Sequence, residues 1–130
     1  MNVVNILIAE DDEVMLQIIR SILSRESGFQ VFTAKNGKEA LLIKEKNRID
    51  LVITDLMMPY ANGFEVISAF RNDPTTAKTP VVIISSVGNE EAVIEGFELG
   101  ADDFIQKPLP PGEFISRIKR LIAKLPTPHS

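Results

Sequence analysis

The stretch Val3-Val4-Asn5-Ile6-Leu7-Ile8-Ala9, running straight into Glu10-Asp11-Asp12, decides the fold. It is apolar at nearly every position, whereas a strand with one wet face alternates apolar and polar residues. Continuous apolarity reads as a strand buried on both faces, as in a parallel sheet covered by helices. Four further runs repeat the pattern: residues 29–34, 51–54, 81–85 and a weaker 103–106.

Between these runs the apolar period lengthens to about 3.6. After the first run Val14, Ile18 and Ile22 recur at i+4, as do Met15, Ile19 and Leu23, which predicts one broad apolar stripe with Gly28 at the helix stop. Asn36-Gly37-Lys38-Glu39 reads as an N-cap with a reciprocal acid three residues on. Further helices are expected over 64–71, 90–99 and 113–124, with Gly100 ending the fourth and Phe114, Ile118, Leu121 or Ile122, and Leu125 sharing a face of the fifth. Five strands alternating with five helices predict an α/β fold with right-handed crossovers and helices on both faces.

The composition bounds the function. At 130 residues the chain is the size of one domain. Its 45% hydrophobic and 25% charged residues exclude a disordered or collagen-like chain. With no cysteine there is no disulfide, no thiolate metal site and no thiol nucleophile. The net charge of −4 argues against a basic grip on nucleic acid. No apolar run approaches the ~20 residues that span a bilayer. The first strand leads into acids, so it is no secretory signal. A soluble, cytoplasmic protein is the expectation, made of one domain over residues 1–125 and a Pro-rich tail or linker stub over 126–130.

In an open parallel sheet, ligands bind beyond the carboxyl ends of the strands. Glu10-Asp11-Asp12 follow the first strand, Asp55 the third, Ser85 the fourth and Lys107-Pro108 the fifth. Asp11 or Asp12 could each cap a helix, but one cap needs one Asp. Crowded carboxylates call for a cation, and Mg²⁺ suits them because it binds through a few carboxylates and keeps waters open to phosphate. Phosphoryl transfer to a carboxylate needs a nucleophile, a metal, a cation on the phosphoryl oxygens and a hydrogen-bond donor. Asp55, the acidic pair, Lys107 and Ser85 supply one of each. Pro108 follows Lys107 at a bend where a cis bond is accessible.

These residues resemble the receiver domain of two-component response regulators over essentially all of residues 3–125. The resemblance is carried by Ile6-Leu7-Ile8-Ala9-Glu10-Asp11-Asp12, Asp55-Leu56-Met57-Met58-Pro59 with Gly63, Pro80 through Ser86, Leu99-Gly100-Ala101 and Lys107-Pro108. It implies a flavodoxin-like, doubly wound three-layer sandwich with strand order 2-1-3-4-5. It also implies phosphorylation of Asp55 by a histidine kinase or a histidine phosphotransfer protein. Asp12 and Asp55 would ligate Mg²⁺ (or Mn²⁺) directly, Asp11 through water, and the Met57 carbonyl would complete the set. Lys107 would pair with the phosphoryl oxygens, Ser85 would turn to them, and Phe104 would act as the aromatic switch of the surface formed by the fourth helix, fifth strand and fifth helix. Such a domain is a phosphoacceptor that promotes its own phosphorylation and dephosphorylation rather than an enzyme. A dimer formed on phosphorylation is compatible with it, and the downstream target or fused output domain is left open.

Three positions depart from the family pattern. Ser86 replaces the usual Ala. Met57 and Val87, both apolar, occupy the positions that tune hydrolysis of the acyl phosphate, which predicts a long-lived phosphorylated state. Pro110-Pro111 replace the acid before the fifth helix. The alternatives are an aspartate-nucleophile phosphatase, which generic phosphoester turnover would reveal, a flavodoxin-like flavin carrier, which would be coloured, and a degenerate receiver that binds protein without phosphorylation.

Overall fold

Strands and helices alternate without exception along the chain: β1 (Val4–Ala9), α1 (Glu13–Leu23), β2 (Phe29–Ala34), α2 (Gly37–Lys46), β3 (Leu51–Asp55), α3 (Gly63–Arg71), β4 (Val81–Ser85), α4 (Glu90–Glu98), β5 (Asp103–Gln106) and α5 (Pro111–Ala123). This computed structural model describes residues 3–58, 62–86 and 88–125. Pro59, Val87 and the tail 126–130, all singled out above, lie outside the described residues. The strands form one parallel sheet in the order β2-β1-β3-β4-β5. That is the flavodoxin-like, three-layer arrangement expected from the sequence.

The uninterrupted apolar runs are explained by burial on both faces: every residue of β3 and of β4 is buried. On one face Ile6, Ile8, Ile53 and Ile84 pack with Leu16 and Ile19 of α1 and with Phe114 and Ile118 of α5. On the other, Leu7, Val52 and Ile83 pack with Ala40 of α2, Val66, Ile67 and Phe70 of α3 and Val93 of α4. Phe70 and Phe114 are the largest fully buried side chains. Truncating either to Ala would cost about 3–5 kcal/mol, because a sheet held between two helical layers cannot collapse into the cavity.

The helix starts follow the sequence closely. Asn36 caps α2 by accepting from the Glu39 N–H at 2.8 Å, and Glu39 reaches back to the Lys35 N–H at 2.8 Å. Gly100, at φ +115°, stops α4, with its N–H donating to the Phe97 carbonyl. Two details of α1 differ from expectation. The helix ends at Leu23, and Gly28, at φ +89°, instead turns the chain into β2. The broad stripe also splits: α1 buries Leu16, Ile19, Ile22 and Leu23, with Met15 partly buried against the same core. Val14 is 69% exposed and Ile18 41% exposed, so period alone overstated the width of the buried face.

The register places the chemistry. Ala9 aligns with Thr54, so Glu10 emerges beside Asp55. Asp55 aligns with Ile84 and Ser85 with Gln106, so Ser85 and Lys107 emerge at the same edge.

Candidate functional site

Asp55 is buried at the end of β3, and both of its carboxylate oxygens are engaged. Oδ1 accepts from the Leu56 N–H at 2.7 Å and the Met57 N–H at 3.3 Å, while Oδ2 accepts from Lys107 Nζ at 2.9 Å. The start of α3 closes back onto the strand end: the Gly63 N–H donates to the Leu56 carbonyl at 3.0 Å. A Cβ on Gly63 would overlap the Asp55 carbonyl oxygen and crowd Leu56 Cα, so a glycine is required for this close approach.

Glu10 is fully buried beside it. Its Oε2 accepts from the Asp12 N–H at 3.0 Å, and Lys107 Nζ lies 2.7 Å from its Oε1. Lys107 thus bridges two acids, and its own N–H is anchored to the Ser85 carbonyl at 2.7 Å. The Lys107-Pro108 bond is cis. Burial pushes the Glu10 carboxyl above its ordinary 4.5, and the Asp55 charge adds to the rise, against the opposing pull of Lys107 and the Asp12 N–H. For Lys107, burial alone would lower the pKa, but the Glu10 and Asp55 carboxylates outweigh it and hold the ammonium above its ordinary 10.5.

The acidic cluster in the structure differs in one member from the ligand set expected from the sequence. Glu10, Asp11 and Asp55 each offer a carboxylate oxygen within 4.8 Å of the others, and Asp12 is not among them. Asp12 is the N-cap of α1: Oδ1 accepts from the Val14 N–H at 2.9 Å and the Met15 N–H at 3.3 Å. A carboxylate committed to the positive end of a helix is held away from the cluster. Glu10, which sequence reasoning left without a role, lies in the cluster instead. The signal was available in Asp12-Glu13-Val14-Met15, since the acid directly before a helix is the one that caps it.

The other site residues lie at the same edge. Ser85 is buried, and its Oγ accepts from Asn89 Nδ2 at 3.1 Å, a neighbour that sequence reasoning did not find. Phe104 is half-buried, packs against the core on the α2–α3–α4 side and lines a cavity of about 220 Å³ with Asn89, Val93, Ile94 and Gln106. Met57 is 61% exposed at the mouth of the site, and its carbonyl belongs to the loop that wraps Asp55.

The residues present fit a hard divalent cation. Three carboxylates face one ammonium, which leaves negative charge in excess. Glu10 Oε1 is buried and has only the Lys107 ammonium, at 2.7 Å, beside it among the described residues. Oxygen donors of this kind, gathered at one end of a rigid sheet, are what Mg²⁺ selects.

Known proteins resemble the chain over most of its length. Residues 6–119 match the model of the response regulator receiver domain. The chain is 35% identical to the transcriptional regulatory protein SrrA of Staphylococcus aureus, over 92% of this chain and 48% of that protein. It spans about half the length of the curated relatives it matches. Among solved structures it resembles the chemotaxis response regulator CheY4 of Vibrio cholerae, with a TM-score of 0.84 at 29% identity, over 92% of this chain and 99% of that one. It also resembles the signal receiver domain of a signal transduction histidine kinase from Syntrophus aciditrophicus, with a TM-score of 0.86 at 31% identity, over 97% and 95% of the two chains. The chain belongs to the response regulator receiver domain family, a family of signalling domains in two-component systems.

Proposed function

We propose that this receiver domain takes a phosphoryl group onto Asp55 from a phosphohistidine of a partner kinase or phosphotransfer protein, in a Mg²⁺-dependent reaction. The observation that carries the reading is Lys107 Nζ poised between Asp55 Oδ2 and Glu10 Oε1, with Asp11 completing the acidic cluster. Glu10, Asp11, Asp55 and the Met57 carbonyl would hold the ion. When bound, Mg²⁺ would offset the negative charge that the acids and the phosphoryl oxygens bring together.

An Asp55 carboxylate oxygen attacks phosphorus as the phosphorus–nitrogen bond of the phosphohistidine breaks. The imidazole leaves with the bonding electron pair and is protonated, and the product is an acyl phosphate. The Leu56 and Met57 N–H groups orient the Asp55 carboxylate for this attack. Lys107 passes its ammonium from Asp55 Oδ2 to the phosphoryl oxygens, where its raised pKa keeps it charged. Ser85 then turns its hydroxyl to the phosphoryl group, and Phe104 repacks in the cavity beside α4, which alters the surface of α4, β5 and α5.

The domain spans residues 1–125 and acts in the cytoplasm by docking, without direct contact to nucleic acid. Among the described residues no helix is long and apolar enough to cross a membrane. Its output lies in a partner or in a fused domain, since relatives such as SrrA are transcriptional regulators about twice its length. Met57 is apolar and cannot orient an attacking water, so the acyl phosphate is long-lived.

Intact mass after incubation with a small phosphoramidate tests the reading. The expected result is a gain of one phosphoryl group that requires both Mg²⁺ and Asp55 and is lost in Asp55→Asn. No gain under conditions that label another receiver would overturn it and leave a degenerate domain that binds protein without phosphorylation.

A further inference from the structure

Four helices of this fold begin directly after an Asp or Asn, and three of them are capped by it. Asp12, Asn36 and Asn62 all have extended backbones and accept from N–H groups of the first turn. Asn89, before α4, does not. Its backbone stands at φ −109°, ψ 29°, and α4 has no side-chain cap. The carboxamide is turned instead toward the phosphorylation site, where Nδ2 donates to the buried Ser85 Oγ at 3.1 Å. One side chain therefore serves one of two places, the Ser85 hydroxyl or the start of α4.

We propose that Asn89 is a positioning residue for Ser85. It holds the hydroxyl on the α4 side while Asp55 is free, and it moves onto the α4 N-terminus when Ser85 turns away. The proposal rests on the reading that Asp55 accepts a phosphoryl group and that Ser85 turns to it. Rotation of Ser85 between staggered positions carries Oγ away from an amide placed at 3.1 Å. Released from Ser85, the half-buried carboxamide is free to turn its Oδ1 to the first-turn N–H groups of α4, which need an acceptor, while its Nδ2 passes to water.

The path is open. Gly88 precedes Asn89 at φ +96°, and a Cβ there would meet nothing within 4 Å among the described residues outside its chain neighbours, so the joint that carries Asn89 is not packed against the fold. Asn89 also lines the cavity of about 220 Å³ whose walls include Phe104 and Val93, which gives the side chain room to leave Ser85. The bond lost and the cap gained are of the same order, so the exchange adds little resistance to phosphorylation. Its consequence is local: the first turn of α4 is capped only in the phosphorylated state. Glu90, Glu91 and Ile94, exposed on that turn and the next, are re-presented to partners with it.

The test uses ¹⁵N-labelled protein with beryllium fluoride and Mg²⁺ as the probe of the phosphoryl site, and ¹⁹F signals report whether the probe binds. The side-chain amide of Asn89 is assigned by its loss in Asn89→Ser. With probe bound, that amide is expected to shift and exchange faster with water, while the backbone N–H groups of Glu91 and Ala92 become protected. In Ser85→Ala the same two N–H groups are expected to be protected without probe. Ser at position 89 still caps a helix but is too short to hold Ser85, so in Asn89→Ser the N–H groups of Glu91 and Ala92 should be protected with or without probe, while probe affinity stays within about twofold because bond and cap offset one another in the unaltered chain. A purely structural Asn89 predicts no protection of Glu91 and Ala92 that depends on the probe in the unaltered chain. Bound probe with an unmoved Asn89 amide, or unprotected Glu91 and Ala92 in Ser85→Ala, would overturn the proposal. Absence of any bound ¹⁹F signal would instead overturn the phosphoacceptor reading, and this inference with it.

Discussion

Lys107→Met removes the one cation between Glu10 and Asp55 while keeping an apolar stem in its place. Breaking a buried ion pair by deleting one partner costs about 3–5 kcal/mol. The setting here is nearly buried: the Lys107 side chain is 15% exposed, that of Glu10 0% and that of Asp55 12%. Neither acid is left bare, because Glu10 keeps the Asp12 N–H and Asp55 keeps those of Leu56 and Met57. Glu10 also has an escape in taking up a proton. Carrying a carboxyl of ordinary pKa 4.5 as the neutral acid at pH 7 costs about 3.4 kcal/mol, at 1.36 per pH unit, and this is the ceiling for its share. The expected loss at pH 7 without divalent cations is therefore about 2–3 kcal/mol.

Two further signatures follow from the same geometry. The folded pKa of Glu10 already lies above its unfolded value, and without Lys107 it rises further. The native state then binds the extra proton, so the deficit shrinks as pH falls and should be below about 1 kcal/mol at pH 5. Mg²⁺ replaces the missing charge, and saturation at a hundredfold excess over its dissociation constant adds about 2.7 kcal/mol. Urea unfolding followed by circular dichroism at pH 7 and pH 5, with chelator and with Mg²⁺, measures all three. A deficit under about 0.5 kcal/mol, the range of exposed bridges, would refute the reasoning, as would one indifferent to both pH and Mg²⁺.

Four other outcomes are expected. Gly63→Ala forces the loop off the Asp55 carbonyl and should cost about 1–3 kcal/mol in urea unfolding and slow labelling by phosphoramidate, since the same backbone carries the Asp55 carboxylate. Arg71 donates to the Gly100 and Thr79 carbonyls at 2.9 and 2.6 Å and to Asp102 at 2.9 Å, so Arg71→Ala should lose about 2–3 kcal/mol, and Arg71→Lys, lacking the planar fork, should not restore it. The Lys44 ammonium, with the N–H and hydroxyl of Thr75, holds Asp73 at about 2 against an ordinary 3.8; the stabilisation it gives is present above 3.8 and fades as pH falls through about 2. An NMR titration of Asp73 should show this low value and its return toward 3.8 in Lys44→Met. Met57→Asn places an amide at the exposed mouth of the site and should shorten the life of the acyl phosphate; decay of the labelled mass that is already rapid and does not accelerate in the variant would count against a long-lived state.

The fold was legible because its signals are redundant. Residues 29–34, 81–85 and 103–106 are strands at those bounds, and Asn36 and Gly100 punctuate helices where turn chemistry requires it. Burial of α1 was less legible. Val14 and Ile18 fit the period as well as Ile19 and Leu23 do, and only the packed structure separates the exposed pair from the buried one. The link from Asn89 to Ser85 was closed to sequence reasoning for a related reason. An Asn before a helix reads as a cap, and nothing in the order of residues says that a buried hydroxyl four positions earlier competes for it.

The acids after β1 show how far residue order alone can decide a site. Glu10-Asp11-Asp12 offers two overlapping adjacent pairs, and identity favours the two aspartates. Secondary structure breaks the tie, because α1 starts at Glu13 and claims the residue before it. Glu10 still donates its N–H to the Ala34 carbonyl of β2, so it is held as an extension of the strand and points where the strand dictates. Asp12 belongs to the helix, Glu10 to the sheet, and Asp11 to the turn between them. Only the first is fixed by a cap, and the other two remain at the strand edge with Asp55. An acid at this edge is therefore assigned by the element that holds its backbone, and Asp12→Ala should weaken α1 by about 1 kcal/mol while leaving Mg²⁺ affinity nearly intact, the reverse of what Glu10→Gln should do.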